Sequence, residues 1–239
     1  MKKESYIKLA IVTAFAIAMG FLEASVVVYL RKLFYPLGFS FPLKGFIEPS
    51  ILGIEWIREF ATIVMLLAVG FLAGKKLYEK FAYFIYAFAI WDIFYYIFLK
   101  LALNWPLKIT DWDMLFLIPW PWAGPVLAPL LLAALMIVSA FLIIDFIDKG
   151  KNVRINLNEW ALIIIGVLIA LYTFLYDYGV IIFKGGFAKD FFTLTSNQEF
   201  IQAVSNYNPI YFNWVIFLIG LIISSLGILI FYIRMKKLR

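Results

Sequence analysis

The sequence predicts an all-α polytopic membrane protein, one bundle of six transmembrane helices with both the N- and C-termini on the cytoplasmic side. Three observations carry this. Six apolar runs are each long enough for the roughly 20 residues of helix that cross a hydrocarbon core. The composition is 65% hydrophobic, where a soluble domain would be about half apolar. The basic residues cluster at the ends of the apolar runs and favour one side, which sets orientation.

The first span is expected at about 7–30, the second at 51–74, the third at 79–103, the fourth at 124–147, the fifth at 159–178 and the sixth at 209–233. Met1-Lys2-Lys3 has the look of a signal-peptide start, but the apolar stretch from Ile7 to Leu30 is too long for a signal segment, so it reads as a retained helix. Pro49-Ser50 precedes the second span as an N-cap region. The third ends before Trp105-Pro106. Pro125 suits the first turn of the fourth, and Pro129 is placed to kink it. Pro209 stands at the start of the sixth. Residues 1–239 form a single transmembrane domain, with no repeat, linker or room for a soluble domain.

Lys2, Lys3, Lys8, Lys75, Lys76, Lys80, Lys149, Lys151, Arg154, Arg234, Lys236, Lys237 and Arg239 fall on one side, 13 of the 21 basic residues. That side is expected to be cytoplasmic. The other side carries Arg31, Lys32, Lys44, Lys108, Lys184 and Lys189. Trp105, Trp112, Trp120 and Trp122 in the outer loop 104–123 read as an interfacial belt. Stiff residues 119–129 read as a lid or re-entrant wall, or as a rigid entry to the fourth helix. Ser196-Asn197-Gln198-Glu199 is a capping-box pattern that starts a short outer helix, or else a plain polar loop.

Composition excludes several chemistries. The chain has no Cys and no His, so disulfides, self-ligated haem or iron–sulfur clusters and His/Cys zinc sites are out, and no cofactor is expected. The formal charge of +6 belongs to topology and is no sign of nucleic acid.

Ionisable groups inside a bilayer are costly and therefore functional suspects. Counted from the cytoplasmic edge at about 1.5 Å per residue, Glu23 and Glu59 lie roughly 22 Å deep and Asp92 roughly 18 Å, one layer in the outer half of a core about 30 Å thick. Glu55 and Glu59 are one turn apart, with Arg58 beside them. Asp92, Tyr95 and Tyr96 share a face, with Lys100 a turn further on. Gly20, on the face of Glu23, lets a neighbouring helix come close. The functional reading is an outward pocket lined by Glu23, Arg58, Glu59, Asp92, Tyr95, Tyr96 and Lys100, with Arg31, Glu55, Asp111 and Asp113 at its rim. Glu23, Glu55, Glu59 and Asp92 against Arg58 and Lys100 leave −2, which tilts the pocket toward cations. The rival reading is a set of structural interhelical ion pairs.

The stretches Trp91–Pro106 (WDIFYYIFLKLALNWP) and Leu115–Pro129 (LFLIPWPWAGPVLAP), about an eighth of the chain, resemble a family of prokaryotic multi-helix integral membrane proteins. The resemblance implies a prokaryotic cytoplasmic (inner) membrane and no particular activity. The architecture alone is similar to the substrate-binding subunits of energy-coupling-factor vitamin transporters.

The sequence therefore points first to a membrane protein that binds a small polar or cationic solute or ion from outside, for transport. A second reading is a membrane-embedded enzyme acting on a lipid or polyprenyl phosphate head group, with Asp111, Asp113 and Glu59 on Mg²⁺ and Arg58 and Lys100 on phosphate. A third is a non-catalytic subunit of a larger membrane complex, with partner subunits meeting the charges.

Overall fold

A computed structural model of the protein describes residues 1–42, 49–189, 194 and 197–238. Lys44, Ser196, Arg239 and the side chains of Pro49 and Ser50 lie outside the described residues. The elements run α1 (Lys3–Phe34), α2 (Pro49–Ala73), α3 (Leu77–Leu103), β1 (Trp112–Phe116), β2 (Trp122–Pro125), α4 (Leu127–Asp148), α5 (Leu157–Lys184), α6 (Gln198–Asn206) and α7 (Trp214–Lys237). Among the described residues, α1 to α5 and α7 are the six helices long and apolar enough to span a membrane. The expected all-α polytopic fold is the one observed.

The central helix is α3, which packs on α1, α2 and α4. A second unit, α5 against α7, joins the first through α4 and the hairpin. Small residues set both approaches. A Cβ on Gly20 would come within 3.0 Å of the Trp91 carbonyl oxygen, so glycine there brings α1 down onto α3. The α5–α7 seam is tighter still. Gly166 faces Gly220, and Ser224 is buried and donates to the Ile163 carbonyl at 3.2 Å. In lipid, where apolar surface gains nothing by leaving the solvent, close backbone packing and such hydrogen bonds hold helices together.

Both chain ends lie at one end of the bundle, fastened by polar contacts. The Lys2 N–H and the Ser5 hydroxyl donate to Asp148 at 2.7 and 2.8 Å. Lys8 reaches Glu79 at 3.3 Å. Arg234 grips Glu159 at 2.6 and 2.8 Å. Asp145 and Asp148 thus tie down the N-terminus.

The segment between α3 and α4 departs from expectation. It forms an antiparallel hairpin, with Trp112 opposite Pro125, Asp113 opposite Gly124, Met114 opposite Ala123 and Phe116 opposite Trp122, and an irregularity between Met114 and Phe116. Pro125 therefore ends β2 rather than opening a helix, and α4 starts at Leu127. Pro129 falls in the first turn of α4, where its missing N–H costs nothing. The tryptophans of this region, expected as an interfacial belt, are each half-buried against the rest of the chain. Trp122 stacks on Phe174 of α5, Trp112 packs on Phe212, the Trp120 indole donates to the Leu175 carbonyl at 3.0 Å, and Trp105 faces Arg31. They anchor the hairpin to the helices. At α6 the Asn197 carboxamide, one residue after the expected cap, accepts from the Glu199 and Phe200 N–H groups. The last span begins at Trp214, five residues beyond Pro209, with the Asn213 side chain capping the Ile216 N–H.

A Gly166→Ala substitution sets a methyl group 2.3 Å from Ser224 Oγ and 2.4 Å from the Gly220 carbonyl oxygen. It is expected to destabilise the protein by about 1–3 kcal/mol, read as denaturant unfolding in mixed micelles. Gly53→Ala, with nothing within 4 Å of the new atom, is the control and is expected to be neutral.

Candidate functional site

Helical spacing delivers three stripes to one place. On α1 the stripe is Glu23, Val27, Leu30, Arg31 and Phe34, on α2 it is Glu55, Arg58 and Glu59, and on α3 it is Trp91, Asp92, Tyr95 and Tyr96. The chain from Asp113 to Leu117 forms a further wall, and Tyr35 and Phe39 complete the lining. These residues line a partly open cavity of about 130 Å³.

Two polar networks shape it. In the first, Arg58 on α2 bridges to Glu23 on α1 and holds Glu55 through Nε at 3.0 Å and Nη2 at 2.5 Å. The Thr62 hydroxyl donates to Glu23 at 3.2 Å. In the second, Arg31 Nη2 donates to Asp113 Oδ1 at 2.7 Å, with both side chains buried. The guanidinium lies 3.8 Å from the Trp105 ring centre and 4.3 Å from that of Phe39, a desolvated cation–π arrangement. Glu59 accepts from the Leu117 N–H at 2.8 Å. The strand wall is thus pinned at Asp113 to α1 and at Leu117 to α2.

Charge is unevenly met. Glu23, Glu55, Glu59, Asp92 and Asp113 are five carboxylates, and Arg31 and Arg58 two guanidiniums, a formal −3 around one cavity. Asp92 makes no hydrogen bond or ion pair among the described residues. Four buried polar atoms on lining residues also lack partners: Arg31 Nη1, Tyr35 Oη, Trp91 Nε1 and Asp113 Oδ2. Burial pushes the Asp113 carboxyl above its usual range, against the pull of Arg31, the Met114 N–H and the nearby Tyr96 hydroxyl. Burial likewise pushes the Tyr35 phenol up to about 12, so it is a neutral donor at physiological pH.

Most of the residues expected from sequence converge here. Glu23, Arg58, Glu59, Asp92, Tyr95 and Tyr96 line the cavity, and so do Arg31, Glu55 and Asp113 from the expected rim. Lys100 does not. It is exposed, and its ammonium donates to the Pro106 carbonyl at 2.9 Å, in the segment that follows α3. Asp111 is also absent from the lining. Its carboxylate accepts from the Leu107 and Lys108 N–H groups at 2.7 and 3.0 Å and closes the turn before β1. Asp111 and Asp113 point to different tasks, and among the described residues no three acidic side chains are grouped to hold a metal. Of the three acids expected on Mg²⁺, Glu59 and Asp113 line the cavity and Asp111 does not.

Sequence reasoning missed Trp91, Tyr35, Phe39 and Thr62. Thr62 was within reach, since it extends the 55–58/59–62 stripe by one turn. Trp91 also carried a signal, one turn before Tyr95 on α3. Nothing local marked Tyr35 or Phe39. No family model, no curated protein and no solved structure matches the chain. The chemistry of the cavity alone therefore carries the functional reading.

Because burial outweighs the pull of Arg31 and raises the Asp113 carboxyl, ionising it costs more in the fold than in the unfolded chain. The stability it contributes is complete below the ordinary value of about 3.9 and is lost as pH rises through the raised value. Melting temperatures taken from acid to mildly alkaline pH are expected to fall for the wild type relative to Asp113→Asn as pH rises. Parallel profiles would show that Asp113 does not titrate in this range.

Proposed function

We propose that this integral membrane protein binds a small polar or cationic solute or ion in the cavity and carries it across a prokaryotic cytoplasmic membrane. The observation that carries this reading is the formal −3 of the lining, with Asp92 unpartnered. Charge of one sign in a low-dielectric site is costly unless a proton or a bound cation meets it. Asp92 is the group left to bind or to exchange a proton. Arg58 keeps Glu23 and Glu55 in place, and Glu59 holds the strand wall. Tyr95 and Tyr96 offer hydroxyls to the solute.

The experiment is solute-induced charge movement in proteoliposomes containing the purified chain, with sodium, potassium, methylammonium and guanidinium as probes. At least one probe is expected to evoke a signal that Asp92→Asn reduces about tenfold or more, the loss of one charge-assisted contact, with unchanged melting behaviour. Silence with every probe, together with an Asp92→Asn protein more stable than the wild type, would make the carboxylate a structural burden and end this reading.

The orientation proposed with it places the Lys75–Lys76 and Lys149–Arg154 turns and both termini in the cytoplasm, on the excess of Lys and Arg at that end. Without native cysteine, single cysteines test this directly. Lys108→Cys is expected to react with a membrane-impermeant maleimide on intact cells, and Lys237→Cys only after lysis. The reverse pattern would invert the topology.

A further inference from the structure

The reading above leaves the solute's chemistry open, and the oxygens still free in the cavity narrow it. Arg31 Nη1, Trp91 Nε1, Tyr35 Oη and Asp113 Oδ2 are closed off even from water and take no part. Other oxygens are both unpaired and open. Asp92, half-buried on α3, has no partner among the described residues, and its oxygens are not closed off. The Tyr95 hydroxyl, on the same face of α3, is likewise unpaired and open. On α2, Glu55 and Glu59 are more than nine-tenths buried, and each uses one oxygen: Arg58 donates to Oε2 of Glu55, and the Leu117 N–H donates to Oε2 of Glu59. Their Oε1 atoms accept nothing among the described residues and are not closed off. Glu23 has no oxygen to spare, since Arg58 holds Oε1 and Thr62 holds Oε2.

The free acceptors thus fall into two groups, Asp92 with Tyr95 on α3 and Glu55 with Glu59 on α2, carried by helices that pack against each other. Charge sets what meets them. Against the formal −3 of the lining, a cation with one charge leaves two carboxylates uncompensated. A dication leaves one, which a single proton meets. A divalent metal ion gathers about six oxygens around one point, and among the described residues no three acidic side chains are grouped to supply them. A dication with its charges held apart by an apolar spacer suits two separate groups instead. Val27, Leu115 and Phe116 give the lining an apolar part that favours methylene groups. Size restricts the spacer. A protein cavity of about 150 Å³ is known to hold benzene, so about 130 Å³ admits about six non-hydrogen atoms.

Resting on the solute-binding reading, we propose that the cavity binds a short linear aliphatic diamine in its doubly protonated form, putrescine being the largest that fits. One ammonium donates to Asp92 and the Tyr95 hydroxyl. The other donates to Oε1 of Glu59 and of Glu55. The methylene chain lies against the apolar part of the lining, and Arg58 keeps Glu55 in place to receive the second ammonium.

The test is equilibrium binding of radiolabelled putrescine to the purified full-length chain in micelles. Propanediamine, butylamine, methylammonium and magnesium serve as competitors. Putrescine is expected to bind and propanediamine to displace it. Butylamine, which keeps the chain and lacks the second ammonium, is expected to compete about a hundredfold more weakly, the loss of one buried charge contact. Asp92→Asn removes one charge. Glu59→Gln removes another and keeps an oxygen for the Leu117 N–H. In either variant the preference for putrescine over butylamine is expected to fall to about tenfold or less, with unchanged melting behaviour. A structural role for either carboxylate would not alter that preference. Butylamine or methylammonium binding as tightly as putrescine would overturn the diamine and leave the cation reading intact. Displacement by magnesium at concentrations equal to putrescine would also overturn it and give the site to a metal ion. If no amine binds while sodium or potassium still evokes charge movement in proteoliposomes, the diamine falls and the solute-binding reading stands. If neither is seen, both fall.

Discussion

Arg31 lies at the end of a membrane-spanning helix with its guanidinium shut away from solvent, and the half of the molecule away from the chain ends is arranged around meeting that charge. A buried guanidinium needs a carboxylate and a dry, polarisable surround. Neither is available from α1 itself. The carboxylate is Asp113, brought from more than eighty residues away, and the aromatic faces come from Phe39 and Trp105. Meeting Arg31 therefore requires the chain between α3 and α4 to fold back into the bundle. Once there, its backbone polar groups must be satisfied within the protein. The β1–β2 ladder and the Glu59–Leu117 hydrogen bond do this.

The two halves of the molecule solve the lipid problem differently. The α5–α7 pair is joined by glycine-to-glycine contact and a buried serine, a continuous seam with no charge along its middle. By contrast, α1 and α2 touch each other little and are joined across the gap by Arg58, Glu23 and Thr62. Polar groups need space around them and close packing excludes it. The cavity accordingly lies with α1 and α2.

Legibility in the sequence followed the range of the forces involved. Span positions were readable because hydrophobicity is summed over some twenty residues, and no single contact decides it. The layer of Glu23, Glu59 and Asp92 was readable because helix rise is fixed and depth can be counted. Lys100 misled because its stripe position is right while its reach is not: three residues from the end of α3, it turns to the Pro106 carbonyl in the following segment. The partners of the tryptophans were not readable either, because the contacts of Trp122 with Phe174 and of Trp112 with Phe212 join residues distant in sequence. Such pairings decided Tyr35 and Phe39 as well, and no local pattern reports them.

The hold of Glu59 on the strand wall has a consequence for how this protein can vary. The partner of the carboxylate is a main-chain N–H, which every residue but proline supplies. The wall is thus anchored by a contact that is asymmetric under mutation. At 117 any apolar residue of leucine's bulk preserves the tether and only proline severs it, while at 59 the loss of the carboxylate removes it outright. Drift can recolour the inner surface of the wall, and with it the apolar lining of the cavity, without moving the wall itself.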